Sequence, residues 1–142
     1  DFGRVSGAHF TQGDTRPIMA ASDGYLYQHE VGSDDNGAAM PWSLELAPYA
    51  MSEGQTHMDM ESLTPDFKDQ AGDITMTVET WDYLNDSTLE DTETETIAAV
   101  DSGIIDMRVS GRYIGMTLSG SAAGCYFRMG KPVAWIKPSG NR

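Results

Sequence analysis

The segment Ile74-Thr75-Met76-Thr77-Val78-Glu79 decides the class of fold, because apolar and polar side chains alternate in it without interruption. The three apolar side chains fall on one face of an extended chain, and the two threonines and the glutamate fall on the other. A period of two residues is typical of a strand with one buried face, whereas a surface helix repeats about every 3.6 residues. We therefore predict a half-buried antiparallel strand over residues 73–83.

Seven further segments show the same alternation or a comparable apolar pattern. Glycines and prolines punctuate the joins between them, and no segment has the spacing of an amphipathic helix. We therefore predict an all-β fold, an antiparallel β-sandwich or a barrel-like domain. The further predicted strands are 42–46, 57–61, 96–100, 104–109, 112–118, 125–129 and 133–136.

The dipeptide Ser110-Gly111 separates two of these strands and has the composition of a tight hairpin turn. A two-residue loop would pair Val109 with Arg112 and, one step further out, Arg108 with Tyr113. This register keeps the apolar side chains of both strands on one face and puts the Arg108 guanidinium over the Tyr113 ring. We predict a hairpin here, with positive φ in the loop.

The composition describes an acidic chain that is long enough for one domain with a sizeable core. It has 142 residues, with 22 acidic and 9 basic side chains and a formal charge of −13, which argues against nonspecific binding of DNA or of an anionic membrane by the whole surface. The single cysteine, Cys125, cannot form a disulfide within the chain or build a multi-cysteine zinc site. No apolar run approaches the roughly 18 residues of a membrane-spanning segment, so we predict none.

The charge is unevenly distributed along the chain. Residues 1–106 contain all 22 acidic side chains, and residues 107–142 contain six basic side chains and no acidic one. The two parts should attract each other. Three interpretations remain: a basic C-terminal sheet edge beside its own acidic partner, subunits that alternate acidic and basic flanks around a ring, or a basic tail on DNA phosphates.

The most acidic stretch is 84–95, which has five carboxylates and no basic side chain. Its composition is typical of a solvated, mobile loop, and the alternative is a docking loop that presents negative charge to a neighbouring protein. We predict that three arginines form a basic face that meets these acids on a neighbouring subunit or an adjoining protein, because a guanidinium binds carboxylates in a bidentate manner. The same arginines could instead bond to acids of their own sheet. The predicted interface residues are Arg108, Arg112, Arg128, Asp86, Glu90, Asp91, Glu93 and Glu95.

No set of residues in the sequence has the pattern of a catalytic or metal site. His9, His29 and His57 are far apart and lack a second ligand at the usual spacing. The run Asp34-Asp35-Asn36-Gly37 lacks the alternating acids and closing glutamate of a calcium loop, so we expect a tight turn. Cys125 shares a strand face with apolar side chains, and we expect it in the core. We therefore predict no enzyme activity, no cofactor, and no catalytic, cofactor-binding or metal-binding residue.

Four motifs follow one another along the chain. The first is Asp23-Gly24-Tyr25-Leu26-Tyr27-Gln28-His29-Glu30-Val31-Gly32, followed by an acidic, glycine-containing turn; the second is Pro65-Asp66-Phe67, with residues 72–78 just after it. The third is Asp106-Met107-Arg108-Val109-Ser110-Gly111-Arg112, and the fourth is Arg128-Met129-Gly130, before a chain end of Gly140-Asn141-Arg142. In this order, over residues 20–142, they resemble the C-terminal part of the tail hub, or nozzle, proteins of short-tailed bacteriophages, which include packaged-DNA stabilisation proteins.

The resemblance implies that residues 1–32 end a β-propeller blade or form a linker, and that residues 33–142 form an antiparallel β domain. Because the chain is too short to hold a propeller, we expect it to belong to a longer protein. The implied function is structural, in the tail or neck of a virion assembled in the host cytoplasm. Subunits would form a ring, expected to be a homo-hexamer, that helps to build the DNA channel and retain packaged DNA. The implied partners are other copies of the chain, adaptor-side or portal-side tail proteins, and fibres or spikes, with packaged DNA only as channel content.

Two other classes of function remain open. A β-sandwich module of a tail fibre that binds a receptor or a carbohydrate would use aromatic rings as stacking platforms. A tail hydrolase would need a cleft with a pair of carboxylates. A ring of six or twelve copies would support the hub, and a trimer would support a fibre. The candidate platforms, which could equally be core anchors, are Trp42, Trp81, Tyr83 and Trp135.

Overall fold

The computed structural model describes residues 4–9, 16–99 and 103–141, and their regular structure is almost entirely β. The predicted all-β class is therefore confirmed. These residues form β1 (Arg4–His9), β2 (Pro17–Ala21), β3 (Leu26–Gln28), β4 (Trp42–Tyr49), a 3₁₀ turn (Ser52–Gly54), β5 (Thr56–Thr64), β6 (Phe67–Ala71), β7 (Ile74–Trp81), β8 (Asp91–Ile97), β9 (Ile105–Gly111), β10 (Tyr113–Gly120), β11 (Tyr126–Met129) and β12 (Val133–Asn141).

Contacts along the chain separate two compact units, residues 1–32 and residues 33–142. In the first unit, β1, β2 and β3 form an antiparallel sheet in that order. The Asp23 carboxylate holds the turn before β3, because it accepts hydrogen bonds from the Tyr25 N–H at 3.0 Å and the Tyr27 hydroxyl at 2.7 Å. The first sequence motif is thus a turn and a short strand. Its assignment to a propeller blade stays a prediction.

The second unit contains two principal antiparallel sheets. Sheet I has the strand order β4-β10-β7-β8, and sheet II has the order β12-β5-β9. Strands β6 and β11 form a separate two-stranded ladder. Buried side chains from both principal sheets belong to one apolar cluster, so the sheets pack face to face as a sandwich.

The core of the second unit is rich in methionine. Met76 of sheet I and Met58 and Met107 of sheet II are all fully buried. On β7 every second side chain from Ile74 onward is buried, as the alternation over residues 73–83 predicts. Each fully buried apolar side chain contributes about 1.5–3 kcal/mol to folding, and the flexible methionine chains fill irregular space between two twisted sheets.

The hairpin predicted at Ser110-Gly111 is wrong. Strand β9 pairs with β5 in sheet II, and β10 pairs with β4 and β7 in sheet I. The chain therefore crosses from one sheet to the other at Arg112, and the predicted stacking of Arg108 on Tyr113 belongs to a register that does not exist. A hairpin and a crossing between facing sheets both put the apolar side chains of the two strands into one core, so the alternation alone does not distinguish them.

Glycine is required at position 111 because there is no room there for a side chain. It does not have the positive φ expected of a hairpin loop, since the positive-φ glycines of the described chain lie elsewhere. Instead it lies where β9 passes under β7, and a β-carbon on it would stand 2.5 Å from Cβ of Thr80. The Thr80 hydroxyl donates a hydrogen bond to the Ser110 carbonyl at 2.7 Å, which holds the two sheets together at this point.

The acidic stretch 84–95 is only partly a loop. Residues from Asp91 onward belong to β8, which pairs with β7 at the edge of sheet I. The sequence prediction placed a strand at 96–100, too late in the chain, and Val100 lies outside the described residues. The pattern was misleading because both faces of this edge strand are largely exposed until Ile97, so it has no apolar alternation, only β-branched threonines that favour an extended chain.

The second and fourth sequence motifs meet at one corner of the fold. Strands β5 and β6 pair with β12 and β11, and the two ladders are separated at Asp66, which has a φ of 54°. The Asp66 carbonyl accepts a hydrogen bond from the Gly130 N–H at 2.9 Å, and its carboxylate accepts one from the Lys131 N–H at 3.0 Å. A β-carbon on Gly130 would stand 2.0 Å from the Asp66 carboxylate, so a side chain there would displace that carboxylate.

Candidate functional site

The outward face of sheet II carries a polar groove of about 550 Å³, called here the sheet II groove. On β5 and β9 the residues that alternate with the buried methionines and Val109 point away from the core, and most of them are polar. The groove is therefore built on two neighbouring strands of the sandwich rather than on loops. Its polar lining consists of Asp59, Glu61, Ser62, Asp106, Arg108 and Ser110.

The backbone of sheet II is irregular beneath this groove. The ladder between β5 and β9 shifts register between Met60 and Ser62, and the ladder between β12 and β5 shifts between Trp135 and Ile136. Both shifts occur at the level of Glu61. Bulges of this kind bend a strand and redirect its side chains, and they are frequent beside binding sites.

One end of the groove is a hydrogen-bonded cluster that joins three strands. The Ser110 hydroxyl donates to the Asp59 carboxylate at 2.6 Å, and His57 Nδ1 lies 3.2 Å from the Ser139 hydroxyl and 3.3 Å from that of Ser110. On the other side of the ring, His57 Nε2 lies 3.6 Å from the buried Asp82 carboxylate. The Ser110 and Ser139 hydroxyls lower the pKa of Asp59 below its usual 3.8, burial opposes this, and the charge of His57 adds a smaller lowering.

The hydrogen bonds of the cluster join β5, β9 and β12. Because both serine hydroxyls donate to Asp59, their protons point away from His57. A catalytic serine needs the opposite arrangement, in which its own proton points to the histidine. The hydrolase interpretation therefore receives no support from these residues.

The middle of the groove has unengaged polar groups. Lys137 Nζ lies 2.5 Å from Glu61 Oε1, an exposed ion pair at the rim. Within the described ranges, the side chains of Ser62, Asp106 and Arg108 have no hydrogen-bond or ion-pair partner. Trp135 is paired with Ser62 across the ladder, and 47% of its surface is exposed.

The three predicted interface arginines are engaged at three different places. Arg112 Nε donates to the Gly54 carbonyl at 2.7 Å, and its guanidinium lies 5.7 Å from the centre of the Tyr83 ring. Arg128 pairs with Asp69 at 3.1 Å, and both side chains are exposed. Arg108 donates its backbone N–H to Glu93 and extends its side chain to the sheet II groove.

The five predicted acidic residues lie close together in sequence at the β8 edge, and residues 84–95 are called here the acidic edge segment. Asp86 and Asp91 accept short-range hydrogen bonds from the N–H groups of Thr88 and Thr92. Glu93 accepts the N–H of Arg108. In the part of the chain that the structure describes, the exposed Glu90 and Glu95 have no ion-pair partner.

Two local predictions are confirmed. Asp34 accepts a hydrogen bond from the Gly37 N–H at 2.9 Å, so residues 34–37 form a tight turn. Cys125 is buried in the core cluster. The described residues hold no group of three potential metal ligands, and the side chain of His9 lies outside them.

The four aromatic candidates have different environments. Trp42 is a core anchor, since its ring lies 4.9 Å from that of Phe127 and its indole N–H donates to the Cys125 carbonyl at 3.3 Å. Trp81 is half-buried. Tyr83 is exposed, but the Arg112 guanidinium lies over its ring. Trp135 is exposed, and it is paired with Ser62, which lines the sheet II groove.

The cluster of His57, Asp59, Ser110 and Ser139 was missed by the sequence reasoning. The alternation around Met58 and Met60 does indicate that His57 and Asp59 share the polar face of one strand. Their serine partners are 51 residues and 82 residues away in the chain, and only the strand pairing brings them together.

No family model matches the chain, and no curated protein matches it. The described part of the chain also contains no helix that is long and apolar enough to cross a membrane.

Proposed function

We propose that this chain is a structural module of a bacteriophage virion, in a tail hub or nozzle, and that its copies assemble into a ring around the DNA channel. The ordered motifs of the sequence support this proposal, because they resemble those of tail hub proteins. The observation that carries it further is the separation of charge on the second unit.

The acidic edge segment lies at the outer edge of sheet I, where β8 also contacts β9 of sheet II. Strand β8 is the last strand of that sheet; its Glu95 is exposed, whereas Glu93 is half-buried and accepts the backbone N–H of Arg108. Two identical acidic edges repel each other, which disfavours a two-fold contact through β8. A basic surface on a neighbour is attracted instead, and such a head-to-tail contact forms a ring when its rotation closes.

The ladder of β6 and β11 supplies a basic counterpart. Lys68 and Arg128 are directly opposite each other across this ladder and both are exposed, with Asp69 bound to Arg128. Like charges in opposite positions are unfavourable, and an acidic neighbour would relieve the repulsion. We therefore assign Arg128, together with Lys68, to the contact with the acidic edge segment of the next subunit.

The proposed contact orients subunits more than it holds them. Exposed ion pairs contribute about 0–1 kcal/mol each and weaken as salt rises, so several are needed and further apolar contacts must add to them. A net charge of −13 also suits a channel wall, because it repels DNA phosphates and lets a duplex slide.

Native mass spectrometry of the purified chain, at low and at high ionic strength, tests this proposal. We expect six or twelve copies at low salt and partial dissociation at high salt. A trimer would support the fibre module instead, and a monomer at every protein concentration would contradict assembly through this unit.

The second candidate is a β-sandwich module of a tail fibre that binds a receptor or a carbohydrate. The exposure of Trp135 beside the sheet II groove favours it. Stoichiometry separates the two candidates, since a fibre module is expected to be trimeric.

A further inference from the structure

We propose that the sheet II groove is a binding site for a neutral oligosaccharide, with Trp135 as a stacking platform and with Ser62, Asp106 and Arg108 as hydrogen-bonding groups. This inference does not depend on the proposed ring. It rests on the arrangement of these four side chains across three strands.

The four side chains form a continuous path across the sheet. Ser62 of β5 pairs with Trp135 of β12 on one side and with Asp106 of β9 on the other. Directly opposite residues project to the same face, and neighbouring strands are about 4.8 Å apart, so the path spans about 10 Å. Arg108 follows Asp106 on the same face of β9. The groove lined by Ser62, Asp106 and Arg108 has a volume of about 550 Å³, which is of the size that small-ligand sites have, and Trp135 stands next to it through its pairing with Ser62.

The chemistry of this path matches that of a sugar ring. A pyranose has an apolar face of C–H groups and a rim of hydroxyls that both donate and accept hydrogen bonds. The exposed indole of Trp135 offers a flat surface with a negative π-face for the C–H groups. Asp106 accepts from hydroxyls and Arg108 donates to them, and neither has another partner among the described side chains.

The surroundings of the path hold it in place. The ion pair of Lys137 with Glu61 ties β5 to β12 on one side of β5, and the hydrogen bond of Ser110 with Asp59 ties β5 to β9 on the other side. A site on paired strands loses little conformational entropy when a ligand binds. The register shifts at Glu61 add a local bend beneath it.

The charges of the groove select against anionic ligands. Its lining has three carboxylates, Asp59, Glu61 and Asp106, against the guanidinium of Arg108 and the ammonium of Lys137 at the rim. Phosphates and acidic sugars meet net repulsion there. A neutral sugar meets none, because its hydroxyls can pair with either sign of charge.

Amide NMR titration of the whole chain with maltotriose, chitotriose, lactose and sialyllactose tests the inference. We expect at least one neutral sugar to shift amides of β5, β9 and β12 around the groove. Trp135→Ala and Asp106→Asn should each raise its Kd about tenfold, whereas Trp135→Tyr, which keeps an aromatic surface, should bind nearly as well as the parent.

Tyr49→Ala is the matched control, because Tyr49 is an exposed aromatic residue of β4 on sheet I. It should leave the Kd unchanged. The inference is contradicted if no neutral sugar shifts the groove amides, if Tyr49→Ala weakens binding as much as Trp135→Ala, or if sialyllactose binds more tightly than lactose. Sugar binding is read from the groove amides and assembly from the particle mass, so failure here and failure of the ring remain separate results.

Discussion

At Gly111 the two sheets of the sandwich approach so closely that no side chain fits. The place of a β-carbon there is 2.5 Å from Cβ of Thr80, and Thr80 is fully buried. The sequence predicts a requirement for glycine at position 111, but it assigns that requirement to a hairpin loop. The sequence does not distinguish the two cases, because a hairpin loop and a close sheet crossing both favour glycine. The register of β9 with β5, which pairs residues 42 to 53 positions apart, decides between them.

Gly111→Ala should lower the free energy of unfolding by about 1–3 kcal/mol, because the added methyl group forces the sheets apart. Gly140→Ala is the control, since a β-carbon at Gly140 meets nothing within 4 Å. Urea denaturation of both variants measures the effect. Equal midpoints for the two variants would contradict the close approach at Gly111.

Asp59 should show its hydrogen bonds in its titration. Its pKa is lowered mainly by the Ser110 and Ser139 hydroxyls, so its ionised form is favoured by folding. The resulting stabilisation is complete above the unfolded value of 3.8 and is lost as pH falls through the lower folded value. In Ser110→Ala, we expect the Asp59 carboxyl to titrate closer to 3.8, and the stability lost relative to the parent should shrink as pH falls below 3.8.

Carboxyl-detected NMR follows this titration directly. Ser43→Ala, an exposed serine of β4, provides the control and should leave the pKa of Asp59 unchanged. A parent protein in which Asp59 titrates at or above 3.8 would remove the basis of the prediction.

At the scale of elements, the corner at Asp66 joins two sequence motifs into one feature. Its carboxylate accepts the Lys131 N–H, and its backbone has the left-handed conformation that asparagine and glycine adopt more readily than alanine. Asp66→Ala should therefore cost about 1–3 kcal/mol of unfolding free energy, through the lost hydrogen bond and the strained backbone.

Asp66→Asn keeps an acceptor oxygen and tolerates the positive φ, so it should lose clearly less stability than Asp66→Ala. Thermal melts of the two variants distinguish these effects. Similar losses in both would mean that the charge, rather than the hydrogen bond and the backbone, holds the corner.

The elements differ in how well the sequence predicts them. Strand β7 is evident because one of its faces is buried throughout, which leaves a clean alternation. Strands β6 and β8 are not evident from the sequence. Strand β6 is short, β8 is a largely exposed edge strand, and the side chains of both are mostly polar. Their extended shape comes from pairing with β11 and β7, which is information held by distant parts of the chain.

At the scale of the whole molecule, the split of charge along the chain is partly satisfied within it. The C-terminal strands β12 and β11 pair with β5 and β6, and a carboxylate of each partner strand binds a basic side chain, as the ion pairs of Lys137 with Glu61 and of Arg128 with Asp69 illustrate. The acidic edge segment is not paired with a basic strand, so its negative charge is not balanced in this way. A sequence reveals such an excess, but it does not reveal which edge of a sheet carries it, because that depends on strand order.

The proposed sugar site was predictable only in part. Trp135 was one of four aromatic candidates, and nothing in the sequence separates an exposed ring from a core anchor such as Trp42. The groove beside it needs the register of β12, β5 and β9, and so it emerges only from the fold.

The central claim is that subunits meet head to tail through the acidic edge segment and the basic ladder of β6 and β11. Sedimentation velocity of a charge-swap series, at low and at high salt, tests it most directly. We predict that Glu95→Lys and Arg128→Glu each shift the ring toward smaller species at low salt, and that the double variant, which has the parent's net charge, restores it. If both single variants assemble like the parent, or if the double variant is as defective as the singles added together, the proposed contact is contradicted.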